Sequence, residues 1–250
     1  MENKEYFEMQ SGGETLRGFV LRSEGENTLG TVIISHGFGG NSQLSELYGR
    51  ELTGLGYNAV CFDFCSSGPM CKSSGDSHNM SILTQKQDLL RLIGYVKAQS
   101  FAKEGELILF GFSQGGLVSA LCAAELGEKV GRLVLVYPAL VIPDHIRSGR
   151  AADAYFDPED IPETIPTAMM ELGRRYAEDV KDMDVFAIIG AYKGPVLIVH
   201  GMEDGLVPVD YSRRAAKVYG DVRLTEIHGD HGFFGAGQDL SIKIIKDFLR

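Results

Sequence analysis

Ser113 is the residue whose setting most clearly calls for chemistry. It stands in Gly111-Phe112-Ser113-Gln114-Gly115, directly after the apolar run Leu107-Ile108-Leu109-Phe110 and directly before the helix-forming stretch 114–126. A serine on the turn between a buried strand and a helix is held on strained backbone, with its hydroxyl projecting from the sheet end. That is the setting of an attacking nucleophile rather than of a surface hydroxyl. The turn leaves no room for side chains two positions before and two after the serine, and both positions are glycine. The following helix turns its positive end toward the hydroxyl.

A serine nucleophile needs a base, a carboxylate to hold that base, and donors for the oxyanion that forms on its target. Each need is met at the end of a strand-like run. His36-Gly37-Phe38-Gly39-Gly40 follows the apolar run 31–35, and a glycine-rich loop can expose backbone N–H groups. The two oxyanion donors are assigned to the N–H groups of Phe38 and Gln114; the alternative is an ordinary glycine-rich turn. The run 195–199 leads into His200-Gly201-Met202-Glu203-Asp204, where Asp204 is the carboxylate and Glu203 the reserve. The run 222–227 leads into His228-Gly229-Asp230-His231-Gly232-Phe233, where His231 is the base and His228 reads as structural. His228, Asp230 and His231 have the spacing of a partial metal site, but no third cluster of ligands supports one, and no metal or cofactor is expected. The chain order Ser, Asp, His is that of the α/β-hydrolase architecture.

Over nearly its whole length the sequence resembles the α/β-hydrolase superfamily, and within it bacterial cinnamoyl (feruloyl) esterases. The resemblance is carried by the His36–Gly40 loop, Phe62-Asp63-Phe64 with the Gly/Ser-rich loop to Gly75-Asp76, and Gly111 to Gly116. It continues through Pro138-Ala139, Tyr192-Lys193-Gly194-Pro195, the His200 to Asp204 loop and His231-Gly232-Phe233. The loop from Cys65 to Cys71 departs from the shorter turn of that group, which leaves one side of the pocket undefined. The resemblance implies a serine carboxylic-ester hydrolase acting on a small-molecule ester such as a hydroxycinnamate. It also implies that Asp144 and Tyr176 bind the phenolic end of the substrate, against the plainer readings of a helix cap and a packing anchor. Phe-Ser-Gln-Gly also resembles acyl-protein thioesterases, so a thioester or a general short-chain ester is an alternative. A peptidase of this fold is expected to carry an additional domain or an acidic pair for the amine, and neither is evident. A hydrolase-like binding protein without turnover is the reading from a different class.

The length of 250 residues suits one α/β domain with a mostly parallel sheet covered by helices on both faces. A hairpin at 6–10 and 16–22 is expected first, then strands near 31–35, 58–64, 107–112, 132–137, 195–200 and 222–227. Helices are expected near 44–55, 84–100, 114–126, 211–219 and 239–249. The alternation breaks at 138–192, a stretch with Pro143, Pro158, Pro162 and Pro166 that is too long for a connection. It reads as a small cap insertion over the site, within a single domain spanning 1–250. The net charge of −10 argues against nucleic acid or an anionic membrane as partner, and a homodimer is left open. The polar start Met1-Glu2-Asn3-Lys4-Glu5 and four cysteines that make no disulfide scaffold are read as cytoplasmic. Cys61 and Cys122 are expected to be buried thiols, while Cys65 and Cys71 share a loop in which pairing is an alternative to free thiols.

Overall fold

A computed structural model of the chain describes residues 4–23, 28–102 and 105–250. The start of the N-terminal segment, Met1 to Asn3, thus lies outside the described residues. The chain opens with the hairpin β1 (Lys4–Ser11) and β2 (Glu14–Leu21), followed by β3 (Gly30–Ser35), α1 (Ser42–Thr53) and β4 (Tyr57–Asp63). Next come α2 (Ile82–Ala98), β5 (Glu106–Phe112), α3 (Ser113–Leu126) and β6 (Arg132–Val136). The sheet resumes with β11 (Val196–Gly201), α7 (Asp210–Val218), β12 (Val222–Ile227) and the closing α8 (Ala236–Leu249). Between β6 and β11 lie short elements only: α4 (Ile142–Arg147), β7 (Arg150–Ala151), β8 (Ala154–Tyr155), β9 (Thr164–Pro166), β10 (Glu171–Gly173), α5 (Arg175–Glu178) and α6 (Val185–Ile189).

The eight-stranded sheet runs β1-β2-β4-β3-β5-β6-β11-β12 and is parallel from β4 onward. This is the α/β-hydrolase fold expected from the sequence. Its inner strands β3, β4, β5, β6 and β11 are buried on both faces, so they read as continuous apolar runs, and the pleat sends alternate residues to opposite sides. Val32, Ile34, Ile108 and Phe110 pack with Tyr48 of α1 and Ile245 of α8. Ile33, Leu109, Leu133 and Ile198 pack with Leu89 of α2 and Leu117 of α3 on the other face.

The chain steps from β3 outward to β4 and then returns to β5 on the other side. At such a reversal the loops at the strand ends diverge and leave a crevice. The loop after β3 and the start of α3 flank that crevice, and Ser35 pairs in register with Gly111. Helix α2 begins two residues before its expected start because Ser81 and Thr84 form a capping box, in which the Ser81 side chain accepts from the Thr84 N–H. Among the described residues no helix is long and apolar enough to cross a membrane.

Candidate active site

Ser113 is the first residue of α3 and has φ +49°, a left-handed conformation that a non-glycine residue adopts at a cost. The packing around it holds that conformation. A Cβ on Gly111 would lie 2.3 Å from the Gly115 carbonyl oxygen, and one on Gly115 would lie 2.3 Å from that of His36. Strand, helix and the loop after β3 are therefore in backbone contact, as the glycine spacing predicts.

The structure brings Ser113, His231 and Asp204 together. His231 Nδ1 lies 2.7 Å from Asp204 Oδ2, and its Nε2 lies 3.0 Å from Ser113 Oγ. A carboxylate only accepts, so Nδ1 carries the proton and Nε2 is left to accept from the serine hydroxyl. Asp204 Oδ1 accepts from the N–H groups of Leu206 (2.9 Å) and Val207 (2.8 Å), which fixes the carboxylate plane. Burial alone would raise its pKa, but hydrogen bonds from His200, His231 and the Val207 N–H outweigh that and hold the carboxyl well below the usual carboxylate range. The Tyr137 ring, itself at φ +39°, lies against the His231 ring with centroids 4.6 Å apart. Glu203 points elsewhere, to His228 Nδ1 (3.0 Å) and the Gly229 N–H (2.6 Å).

His36 organises the loop that carries Phe38. Its Nε2 accepts from the Phe64 N–H at 3.0 Å, so its Nδ1 carries the proton and donates to the Gly37 carbonyl at 2.8 Å. The Gly40 N–H donates to the same carbonyl at 3.1 Å. In a trans peptide the N–H lies opposite the carbonyl, so fixing the Gly37 oxygen also fixes where the Phe38 N–H is aimed. The loop that departs from the resemblance braces this one: Cys71 Sγ donates to the Gly40 carbonyl at 3.0 Å, and the Asn41 amide donates to the Met70 carbonyl at 3.2 Å. None of residues 65–71 lines the cavity. All four cysteines are free thiols, and burial pushes that of Cys71 up to about 12. At Gln114, α3 starts without a side-chain cap, so its first-turn N–H groups are not taken up by one.

Ser113, His231 and Phe38 open on a cavity of about 650 Å³. The segment between β6 and β11 forms one wall, with Ala139, Ile142, His145 and Met169 among its contributors. At the rim stand four large apolar side chains that are half or more exposed: Leu44, Met169, Leu206 and Phe234. Among the described residues no group of three His, Cys, Asp or Glu is arranged to hold a metal ion.

Asp144 and Tyr176 are held by partners within the protein, Tyr176 in keeping with the plainer reading of a packing anchor. Asp144 is not at the cavity. Its carboxylate accepts from Tyr211 Oη at 2.6 Å and pairs with Arg147, with Arg214 at 3.6 Å. Burial tends to raise its pKa, yet the bonds from Tyr211 and Arg147 lower it. Asp144 thus joins α4 to α7, and His145 beside it faces the cavity instead. Tyr176 does border the cavity, but its hydroxyl donates to Gln114 Oε1 at 2.7 Å and its side chain is almost wholly buried. From there a buried chain continues, Gln114 Nε2 to Gln85 Oε1 at 2.8 Å and Gln85 Nε2 to Ser67 Oγ at 2.9 Å. Tyr176→Phe would leave the Gln114 carbonyl unpaired in the interior. It is expected to lower the unfolding free energy by about 1–3 kcal/mol in a urea titration.

A family model described as serine aminopeptidase, S33 (Hydrolase_4) matches residues 26–155. The chain belongs to this family. No curated protein matches it. Among solved structures it is similar to Est1E from Butyrivibrio proteoclasticus with ferulic acid bound, at 26% identity and TM-score 0.90 over 97% of each chain. It is also similar to the Pyrococcus furiosus esterase Pf2001, at 20% identity and TM-score 0.71 over 99% of this chain and 92% of that one. A predicted CIB-like hydrolase from Thermoplasma acidophilum, at 16% identity and TM-score 0.69 over 100% and 99%, shares the fold. This Hydrolase_4 chain is thus an α/β-hydrolase that resembles cinnamoyl esterases.

His200, to which the sequence assigns no role beyond its place at the strand end, closes the site from beneath. Wholly buried at the end of β11, its Nε2 faces two acceptors, the Val207 carbonyl at 2.9 Å and Asp204 Oδ2 at 3.2 Å, and so must donate. Its Nδ1 accepts from Ser212 Oγ at 2.6 Å. A histidine ending an otherwise aliphatic strand, four residues before the acid, was the available signal.

These groups set an acid limb to the stability. Burial of His36 lowers its pKa from the ordinary 6.5, so the unfolded chain takes up that proton first and stability falls as pH drops below about 6.5. Asp204 is lowered from 3.8, so its contribution is fully present above that value and is lost as pH falls further. Urea midpoints measured from pH 7 to pH 3 are expected to decline in these two stages, and Asp204→Asn is expected to flatten the second.

Proposed function

We propose that the protein is a serine carboxylic-ester hydrolase working through an acyl-enzyme. The observation that carries the reading is the continuous contact from Asp204 through His231 to Ser113 at the wall of one cavity. Ser113 Oγ attacks the ester carbonyl carbon as His231 Nε2 takes its proton, and Asp204 stabilises the imidazolium. The N–H groups of Phe38 and Gln114 receive the oxyanion, aided by the positive end of α3. As the tetrahedral species collapses, His231 gives its proton to the departing alcohol. Water then attacks the acyl-enzyme by the same route and releases the acid, regenerating the Ser113 hydroxyl. Every proton moves between substrate, Ser113, His231 and the hydrolytic water, so these steps need neither metal nor cofactor.

For the substrate we propose small aromatic esters, hydroxycinnamates foremost, with segment 138–192 acting as a cap over the acyl group. The ferulic acid held by the Est1E neighbour and the aromatic and aliphatic lining of the cavity support this. The exposed apolar rim of Leu44, Met169, Leu206 and Phe234 favours a second reading, a longer acyl ester or thioester. Free thiols throughout are consistent with a cytoplasmic setting. Initial rates on methyl ferulate, a short-chain aliphatic ester, a long-chain acyl thioester and an aminoacyl arylamide separate these readings. Fastest turnover of methyl ferulate is expected. Preference for the thioester would move the assignment to the second reading, and preference for the arylamide would move it to peptidase chemistry.

A further inference from the structure

Among the described residues Arg150 is the only arginine or lysine lining the cavity. The other arginine near the same wall, Arg147, is paired with Asp144 on the outside. Arg150 has no carboxylate partner among the described residues. Its Nε donates to the Ala152 carbonyl at 2.8 Å, and its two terminal nitrogens have no hydrogen-bond partner there. That single bond anchors the guanidinium while leaving its two-pronged end free, the part that matches a carboxylate. The accepting residue, Ala152, lies in the turn between β7 and β8 at φ +51°, where glycine or asparagine is the usual occupant.

The other ionisable groups on this wall do not neutralise Arg150. Asp153 is exposed, and both its oxygens accept from the Ala168 N–H, at 3.1 and 3.2 Å. His145 is held below its ordinary pKa by burial and by the Arg150 charge, so at neutral pH it presents an uncharged ring. A half-buried cation with no carboxylate partner among the described residues leaves its terminal nitrogens available to a negative group in the cavity.

We propose that Arg150 anchors a carboxylate at the far end of the acyl group, so that the protein takes monoesters of rigid dicarboxylic acids. This deepens the esterase reading and rests on it. The probes are methyl 4-carboxycinnamate and methyl 4-carbamoylcinnamate, matched in length and ring and differing in charge, with methyl ferulate alongside. Wild type is expected to show a kcat/KM ratio of carboxylate over carboxamide of about 10 or more, the range of a charge-assisted pair. Arg150→Gln is expected to bring that ratio to about 1, and Arg150→Lys to leave it in between. A wild-type ratio near 1, or a ratio that Arg150→Gln does not move, overturns the inference while hydrolysis of methyl ferulate keeps the esterase reading standing. A larger loss on methyl ferulate than on the carboxylate also overturns it, in favour of a phenolic contact. No Ser113-dependent hydrolysis of any of the three overturns the esterase reading itself, and the carboxylate assignment with it.

Discussion

Ser113→Ala is expected to lower kcat on any accepted ester by about 10⁴- to 10⁶-fold while changing KM little. The hydroxyl is the atom that attacks the ester and forms the acyl-enzyme, and its one side-chain hydrogen bond among the described residues is to His231. What survives its removal is the contribution of the oxyanion donors and of substrate positioning, which orient an ester but cannot form the acyl bond. The fold should not suffer. Alanine occupies the same left-handed backbone, the Gly111 and Gly115 contacts are untouched, and one partly buried hydrogen bond is lost. The variant should therefore melt within a few degrees of wild type. A loss below tenfold would mean that water, not Ser113, attacks the ester.

Asp204→Asn is expected to lower kcat by about 10³- to 10⁴-fold, through a change of tautomer rather than of shape. The side-chain oxygen of asparagine can still accept from the Leu206 and Val207 N–H groups, which occupy Oδ1 in the wild type. Its amide nitrogen then takes the place of Oδ2 and offers hydrogens to His231 Nδ1 and His200 Nε2, both donors in the wild type. His231 answers by moving its proton to Nε2, where it can no longer accept from Ser113. His200 has no such remedy, because the Val207 carbonyl also requires a donor from Nε2. Stability should therefore fall as well, by about 1–3 kcal/mol for the mismatched buried group. Rates on methyl ferulate and urea midpoints measure the two effects. Turnover within tenfold of wild type would shift the carboxylate's role elsewhere, although Glu203, turned to His228 and Gly229, is poorly placed to inherit it.

What the sequence made legible follows from what each feature depends on. Ser113, Gly111 and Gly115 were legible because backbone sterics forbid alternatives: a Cβ at either glycine would meet a carbonyl oxygen at 2.3 Å. The inner sheet was legible because strands buried on both faces read as unbroken apolar runs, and the half-exposed edge strand β12 was expected at the bounds it adopts, Val222–Ile227. Asp204 and Glu203 were harder to separate, since both are acids on one loop. The local backbone decides between them by giving Asp204 two N–H donors and turning Glu203 outward. Asp144 and Tyr176 were not legible as contacts. Their segment is built from elements of two to six residues, too short for periodicity to tell which way a side chain faces. The partners that capture them, Tyr211 and Gln114, are 67 and 62 residues away in the chain. His200 and Gln85 escaped notice because each acts on another side chain from within the core, and no motif marks such a position.

The most direct test of Ser113 as nucleophile is covalent capture by a serine-directed fluorophosphonate, read by intact mass and peptide mapping. Stoichiometric phosphonylation on Ser113, absent in Ser113→Ala and slowed about 10²-fold or more in His231→Gln, is the expected result. An unlabelled Ser113 in folded protein, or labelling that proceeds equally well without His231, would contradict the acyl-enzyme mechanism.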